Sequence, residues 1–214
     1  MLGLAAVFAA TMEHADFAAW MLLACVALDA ADGFLARLWK VDSEFGAQLD
    51  SLADMTSFII AGAVLTFYWF YTPGDPGLPL FWIGSAAALY VLGGAFRLAR
   101  FNSGIKVEHE FQGMPTTAVA ALVAIAYLTF PEMKSQYGLC WVVALSFLMV
   151  SVFPYPKWQK FAKLPPAFYL LVAIGGLVNF DVTVWTLAIA YIFSGPLRWL
   201  QRRLRPVVPV PVES

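Results

Sequence analysis

The sequence predicts an all-α protein, a polytopic integral membrane helix bundle with about eight transmembrane helices. Of the 214 residues, 61% are hydrophobic and only 13% are charged, and the mean hydropathy is +0.74. This balance excludes an ordinary soluble domain. Aromatic residues make up 16% of the chain and include 8 Trp, which is typical of side chains that anchor helices at the membrane interfaces.

The apolar runs predict the helices one by one. Residues 1–11 are apolar but too few to cross about 30 Å of hydrocarbon, which needs about 20 residues, so the first helix is expected to be short. Further spans are expected at 16–39, 46–71, 79–101, 114–130, 136–153, 164–179 and 182–200, with Pro or Gly between most of them. A single domain is expected over residues 1–205, and the Pro-rich tail at 206–214 is expected to be disordered.

The basic residues predict the orientation of these helices. Those that follow alternate helices are Arg37, Lys40, Arg97, Arg100, Lys106, Lys157, Lys160, Lys163, Arg198, Arg202, Arg203 and Arg205. The other loops carry acidic residues and a single base, Lys134. Because cytoplasmic loops are enriched in Lys and Arg, both termini are expected in the cytoplasm, with the protein in the cell (inner) membrane.

Four aspartates interrupt the apolar pattern, namely Asp29, Asp32, Asp50 and Asp54. Residues three or four apart on a helix share a face, so one pair can project from the end of a helix and the other from the start of the next. Carboxylates that face each other in a low dielectric repel, and two divalent cations would neutralise them. Oxygen ligands without His or Cys favour Mg²⁺, Mn²⁺ or Ca²⁺ over Zn²⁺. The alternatives are solvated charges at helix ends, or an ion-transport pathway.

The aspartates are part of a longer pattern, Asp29-x2-Asp32-Gly33-x2-Ala36-Arg37-x8-Gly46-x3-Asp50-x3-Asp54. It resembles the signature of the CDP-alcohol phosphotransferase family of integral membrane enzymes. The resemblance implies that all four aspartates bind two divalent cations, Mg²⁺ or Mn²⁺, and that Asp54 is also the general base. It further implies that Gly33, Ala36 and Gly46 leave room for the cytidine nucleotide and that Arg37 binds its diphosphate. Close helix packing and interfacial anchoring are the alternatives for these positions.

A second polar group follows the aspartates. Arg97-Leu98-Ala99-Arg100-Phe101-Asn102 ends one predicted span, and Phe111-Gln112-Gly113-Met114-Pro115-Thr116-Thr117 opens the next. With Leu49-Asp50-Ser51-Leu52-Ala53-Asp54, these segments resemble the phosphatidylserine synthase branch of the family, although Thr117 stands where such relatives usually have Pro. The resemblance implies that Arg97, Arg100, Asn102, Gly113 and Thr116 contribute to substrate binding. Anchoring at the cytoplasmic interface is the alternative for the two arginines.

The resemblance also implies a reaction and its partners. A homodimer in the lipid bilayer would transfer a phosphatidyl group from CDP-diacylglycerol, or its archaeal counterpart CDP-archaeol, to the hydroxyl of L-serine and release CMP. A zwitterionic serine offers a carboxylate that an Arg can bind. Phosphatidylglycerophosphate and phosphatidylinositol phosphate synthases of the same family are the alternative, since Arg97 and Arg100 could also bind the phosphate of their acceptors. No nucleic-acid partner is expected.

Overall fold

The computed structural model describes residues 2–39, 43–71, 78–103, 111–156 and 165–204, most of them helical. The helices are α1 (Leu2–Thr11), α2 (Ala15–Trp39), α3 (Glu44–Asp54), a π-helical turn (Met55–Ile60), α4 (Ala61–Phe70), α5 (Leu80–Asn102), α6 (Thr116–Thr129), α7 (Ser135–Val150), α8 (Pro166–Val178) and α9 (Phe180–Leu204). The strands in this part of the chain are β1 (Phe111–Gln112) and β2 (Pro154–Tyr155).

Each predicted span corresponds to helical structure, with ends that differ by a few residues. Within the described residues, 4 helical segments are long and apolar enough to cross a membrane, at Ala15–Leu35, Gln48–Phe70, Leu80–Asn102 and Phe180–Leu204. The apolar helices α1, α6, α7 and α8 are shorter. An all-α membrane protein is therefore confirmed, whereas eight crossings and two cytoplasmic termini stay predictions. Residue 164 and the predicted tail at 206–214 lie outside the described residues.

The chain divides into two compact units. The first comprises Met1–Lys106 and Met114–Ser151, and the second comprises Val107–Gly113 and Val152–Ser214. Helices α1 to α7 belong to the first unit and α8 and α9 to the second. The single domain expected over residues 1–205 stays a prediction.

In the first unit, helices pack closely around a core of apolar side chains. Helix α1 turns back onto α2 at Glu13, which has a φ of 63°, and the N–H of His14 donates to the carbonyl of Ala9 (2.9 Å), which closes the end of α1. Helix α2 also packs on α6, and α5 packs on α7. Among the buried side chains at the centre are Leu22, Ile59, Tyr90, Val123 and Met149.

In the second unit, Tyr155 compensates for a proline inside a helix. Strand β2 pairs antiparallel with β1, with Tyr155 opposite Phe111, and α8 packs against α9. Helix α9 continues through Pro196, which has no N–H to donate to the carbonyl of Ile192, four residues earlier. The buried Tyr155 hydroxyl donates to that carbonyl instead (3.1 Å). The carbonyl that the proline leaves without a helical donor is therefore satisfied.

Candidate active site

Helix α3 begins at a well-defined cap, and this cap sets the positions of two aspartates. The side-chain oxygen of Ser43 accepts a hydrogen bond from the N–H of Gly46 (3.0 Å), which satisfies one of the unpaired N–H groups of the first turn. Starting at Glu44, α3 places Asp50 and Asp54 one turn apart on the same face. Helix α2 brings Asp29 to the opposite side of the site.

Three of the four predicted metal ligands come together. Asp29 of α2, and Asp50 and Asp54 of α3, each place a carboxylate oxygen within 4.8 Å of the other two. Asp29 and Asp54 are half-buried and Asp50 is exposed. Asp32 is exposed and lies outside this set. Its charge nevertheless acts on Asp29 and Asp50.

The three clustered carboxylates fit a divalent metal ion. Ca²⁺ and Mg²⁺ take oxygen ligands at about 2.0 to 2.6 Å, so two ligands of one ion can lie about 4 to 5 Å apart. The spacing of 4.8 Å in the cluster is within that limit. Three negative charges at this distance repel one another, and a cation between them would remove the repulsion. Asp29, Asp50 and Asp54 could therefore hold a hard divalent cation.

A buried arginine lies beside the carboxylate cluster. Arg97 of α5 is only 8% exposed, and its Nη1 donates a hydrogen bond to Oγ1 of Thr116 (3.2 Å), which is 1% exposed. The guanidinium charge also attracts the carboxylate of Asp54. A buried cation is tolerated only where charge and hydrogen bonds compensate it, and both are present here. Arg97 thus brings a fixed positive charge to the Asp54 side of the site.

Arg100 has different partners from Arg97, although the two arginines are three residues apart on α5. Its Nη1 donates to the carbonyl of Val150 (3.0 Å), and its Nη2 donates to the carbonyls of Ser151 (3.1 Å) and Met149 (3.4 Å). These carbonyls stand at the end of α7, where backbone acceptors lack helical partners and a cation is favourable. The described contacts of Arg100 therefore fasten α7 to α5.

Ser51 connects the aspartate helix to the end of α5. Its hydroxyl donates to Oδ1 of Asn102 (3.0 Å), one of the predicted substrate-binding residues. No role for Ser51 was predicted from the sequence, although it lies between two predicted metal ligands. The signal that could have identified it is its position directly after one of them, Asp50.

The remaining predicted residues divide into three groups. Gly33 is half-buried on α2, and Gly46 is exposed in the first turn of α3. Gly113 belongs to the second unit, has a φ of 78° and donates its N–H to the carbonyl of Phe153 (3.0 Å). The side chains of Ala36 and Arg37 lie outside the described part of the chain. The residues that the structure brings together are thus Asp29, Asp50, Asp54, Arg97 and Thr116.

Fold and site together define a class of protein. It is an all-helical membrane protein whose long apolar helices carry a carboxylate cluster suited to a divalent cation, with a buried arginine beside it. The model of the CDP-alcohol phosphatidyltransferase family matches residues 1–154, and the chain belongs to this family. The family predicted from the aspartate pattern is confirmed.

The similar curated proteins carry the name of the predicted branch. A CDP-diacylglycerol–serine O-phosphatidyltransferase of Helicobacter pylori (strain J99) is 32% identical over 211 residues, which cover 93% of this chain and 86% of the relative. Proteins of the same name are 32% identical over 179 residues in Methanocaldococcus jannaschii (82% of this chain, 81% of the relative). In Bacillus subtilis the identity is 32% over 161 residues (75% and 86%).

Proposed function

We propose that this protein is a CDP-diacylglycerol–serine O-phosphatidyltransferase, which makes phosphatidylserine and CMP. The observation that carries the proposal is the convergence of Asp29, Asp50 and Asp54 within 4.8 Å, in a chain that resembles enzymes of that name over most of its length. The cluster supplies a site able to hold a cation, and the similarity indicates a class of substrate that carries a diphosphate.

The proposed cofactor is a pair of divalent cations, Mg²⁺ or Mn²⁺, held by Asp29, Asp32, Asp50 and Asp54. Three of these carboxylates already lie within 4.8 Å of one another, and Asp32 is close enough for its charge to act on them. When bound, such cations would offset the negative charge of the diphosphate and of the departing CMP. All the proposed ligands are aspartates, which suit Mg²⁺ and Mn²⁺.

Asp54 is proposed as the general base. It accepts the proton of the serine hydroxyl while the serine oxygen attacks the phosphorus that bears the diacylglycerol. The new bond joins this phosphorus to the serine oxygen, the bond to the phosphate of CMP breaks, and CMP leaves with the bonding electrons. General acid–base catalysis of this kind contributes about 10²- to 10⁴-fold in rate. The half-buried position of Asp54, beside Arg97, supports this role.

Arg97 is proposed to bind the serine carboxylate. Its positive charge lies beside Asp54, and Thr116 holds its guanidinium through a hydrogen bond of 3.2 Å. A carboxylate pairs well with a guanidinium. We further propose that this end of the site includes Asn102, which accepts a hydrogen bond from Ser51. Arg100 would contribute indirectly, by its hydrogen bonds to the end of α7.

The nucleotide is proposed to lie against the small residues of α2 and α3. Gly33, Ala36 and Gly46 would make room for the cytidine, and Arg37 would bind the diphosphate. Gly113 is proposed to contribute to substrate binding. The exposed position of Gly46 near the start of α3 supports this arrangement. The protein is further proposed to be a homodimer of the cell membrane whose site opens to the cytoplasm, where CTP-derived substrates and serine are found.

CMP release by the purified protein tests the proposal. With CDP-diacylglycerol and Mn²⁺ or Mg²⁺, serine is expected to drive release, while inositol phosphate and glycerol 3-phosphate are not. Asp54→Asn is expected to lower the rate by about 10²- to 10⁴-fold, whereas Asp181→Asn, at an exposed position in α9, serves as the matched control. Release driven by a phosphate-bearing acceptor would move the protein to another branch of the family. Ion flux in liposomes without CMP release would refute the enzyme altogether.

A further inference from the structure

A π-helical turn directly follows the last aspartate of the site. Residues Met55–Ile60 form this turn between α3 and α4, and the N–H of Ala61 donates to the carbonyl of Thr56, five residues earlier. A π-helical hydrogen bond encloses one residue more than an α-helical one. The turn therefore rotates α3 relative to α4 by about 100°, the angle that one residue occupies in an α-helix.

This rotation decides whether the carboxylates meet. Helix α4 and the π-helical turn are fixed in the core by buried side chains such as Phe58, Ile59 and Leu65. A side chain that ends about 5.5 Å from the helix axis would move about 8 Å if α3 were turned by about 100°. That displacement exceeds the 4.8 Å within which Asp29, Asp50 and Asp54 now lie. An uninterrupted α-helix with the same buried face would thus separate the α3 aspartates from Asp29.

Tyr90 of α5 contacts the π-helical turn from inside the core. Its hydroxyl donates to the carbonyl of Phe58 (3.1 Å), and the side chain is 1% exposed. Helices of the π type are rare, occur mostly as single turns and frequently lie at functional sites. The hydrogen bond joins two residues 32 positions apart in the chain, which makes it a tertiary contact rather than part of the helix.

Two glycines make room for this contact. A Cβ atom at Gly62 would lie 2.5 Å from the Tyr90 hydroxyl oxygen, and a Cβ atom at Gly94 would lie 2.6 Å from Cγ1 of Ile59. Both positions face the π-helical turn or the tyrosine that supports it. Side chains at these positions would push α5 away from the turn. The packing of α5 against the turn therefore depends on glycine on both sides.

We propose that Tyr90 is a positioning residue, which holds the π-helical turn and thereby keeps Asp50 and Asp54 turned toward Asp29. The inference rests on the proposed function, because it assumes that the three carboxylates bind a divalent cation. Tyr90 itself donates to the backbone inside the core, so it acts through the helix and not on substrate. The cation affinity of the protein should then depend on a hydroxyl that is no ligand.

Mn²⁺ binding to the purified protein, measured by electron paramagnetic resonance without substrate, tests the inference. Tyr90→Phe removes only the hydroxyl and is expected to raise the Mn²⁺ dissociation constant about 3- to 10-fold, the ratio that one buried hydrogen bond supplies. Gly62→Ala should also raise the Mn²⁺ dissociation constant, since the added Cβ would displace the Tyr90 oxygen. Ser146→Ala removes another buried hydroxyl, which donates to the carbonyl of Val142 (2.8 Å), and should leave Mn²⁺ binding unchanged.

The kinetic measurements separate positioning from general destabilisation. At low Mn²⁺, Tyr90→Phe should lose activity that high Mn²⁺ restores, with the KM for serine unchanged. A purely structural role would lower the Tm and leave the Mn²⁺ dissociation constant as in the wild type, and this result would overturn the inference. Wild-type protein that binds no Mn²⁺ would instead refute the proposed function. The two failures are therefore distinguishable.

Discussion

Replacing Thr116 by Val tests whether Arg97 is held for the acceptor. Valine resembles threonine in shape, so at a position that is 1% exposed the change removes the hydroxyl without opening a large cavity. Arg97 then loses the acceptor that its Nη1 contacts at 3.2 Å. Hydrogen bonds to charged groups contribute about 1.5 to 3 kcal/mol. Because 3.2 Å is at the long end of the usual range, we expect about 1.5 kcal/mol, which is about tenfold in an equilibrium or rate.

The assay is the initial rate of CMP release with each substrate varied in turn. Thr116→Val should lower kcat/KM for serine by about tenfold, while the KM for CDP-diacylglycerol stays as in the wild type. Thr116→Ser keeps the oxygen and should restore most of the loss. Thr117→Val makes the same chemical change one residue further along α6 and serves as the control.

Three results would refute this reasoning. If Thr116→Val had the serine kcat/KM of the wild type, Arg97 would not need this hydrogen bond for acceptor binding. If Thr117→Val lost as much activity, the effect would come from the start of α6 and not from Arg97. A fall in Tm without a change in the serine KM would likewise assign the hydrogen bond to stability alone.

Three further predictions concern the aspartate cluster, the end of α7 and the proline inside α9. Removal of divalent cations with EDTA is expected to stop CMP release, and added Mn²⁺ or Mg²⁺ to restore it; turnover that survives exhaustive chelation would exclude a metal-dependent reaction. Arg100→Ala should destabilise the protein by about 1.5 to 3 kcal/mol, seen as a lower Tm in detergent, because the end of α7 loses its donor; an unchanged Tm would contradict this. Tyr155→Phe should cost about 1 to 3 kcal/mol, since it leaves the carbonyl of Ile192 beside Pro196 without its donor. Burial raises the pKa of Tyr155 from 10.0 to about 12, so this residue's stabilisation is complete below pH 10 and declines as the pH rises through 12. In a pH series of Tm, Tyr155→Phe should therefore show a smaller decline than the wild type.

The helices and the family followed from the sequence. Apolar runs long enough to cross a membrane leave few alternatives to a helix, and the ends of the predicted spans fell within a few residues of those observed. The family followed because Asp29, Asp32, Asp50 and Asp54 stand at fixed spacing with small residues and an arginine between them. Such a pattern consists of residue types at fixed separations along the chain, which can be read directly from the sequence.

The different partners of Arg97 and Arg100 could not be predicted from their spacing. Both were expected to contribute to substrate binding. In the structure, Arg97 instead donates to Thr116 and lies beside the carboxylate cluster, whereas Arg100 donates to the carbonyls at the end of α7. Their partners lie 19 and 50 residues away in the chain. Only the tertiary arrangement of α5, α6 and α7 determines which acceptor each guanidinium meets.

The sequence by itself determined the membrane helices and the set of aspartates, because both depend on composition and on spacing along one helix. The tertiary structure decided which of these aspartates meet. Asp29, Asp50 and Asp54 converge, and Asp32 lies outside the set. A π-helical turn, to which Tyr90 donates a hydrogen bond, lies between α3, which carries two of these aspartates, and the buried helix α4. The sequence showed no sign of that turn, since its residues are apolar like their neighbours. The rotation of a helix about its axis depends on the side chains against which it packs, and these come from several helices of the first unit.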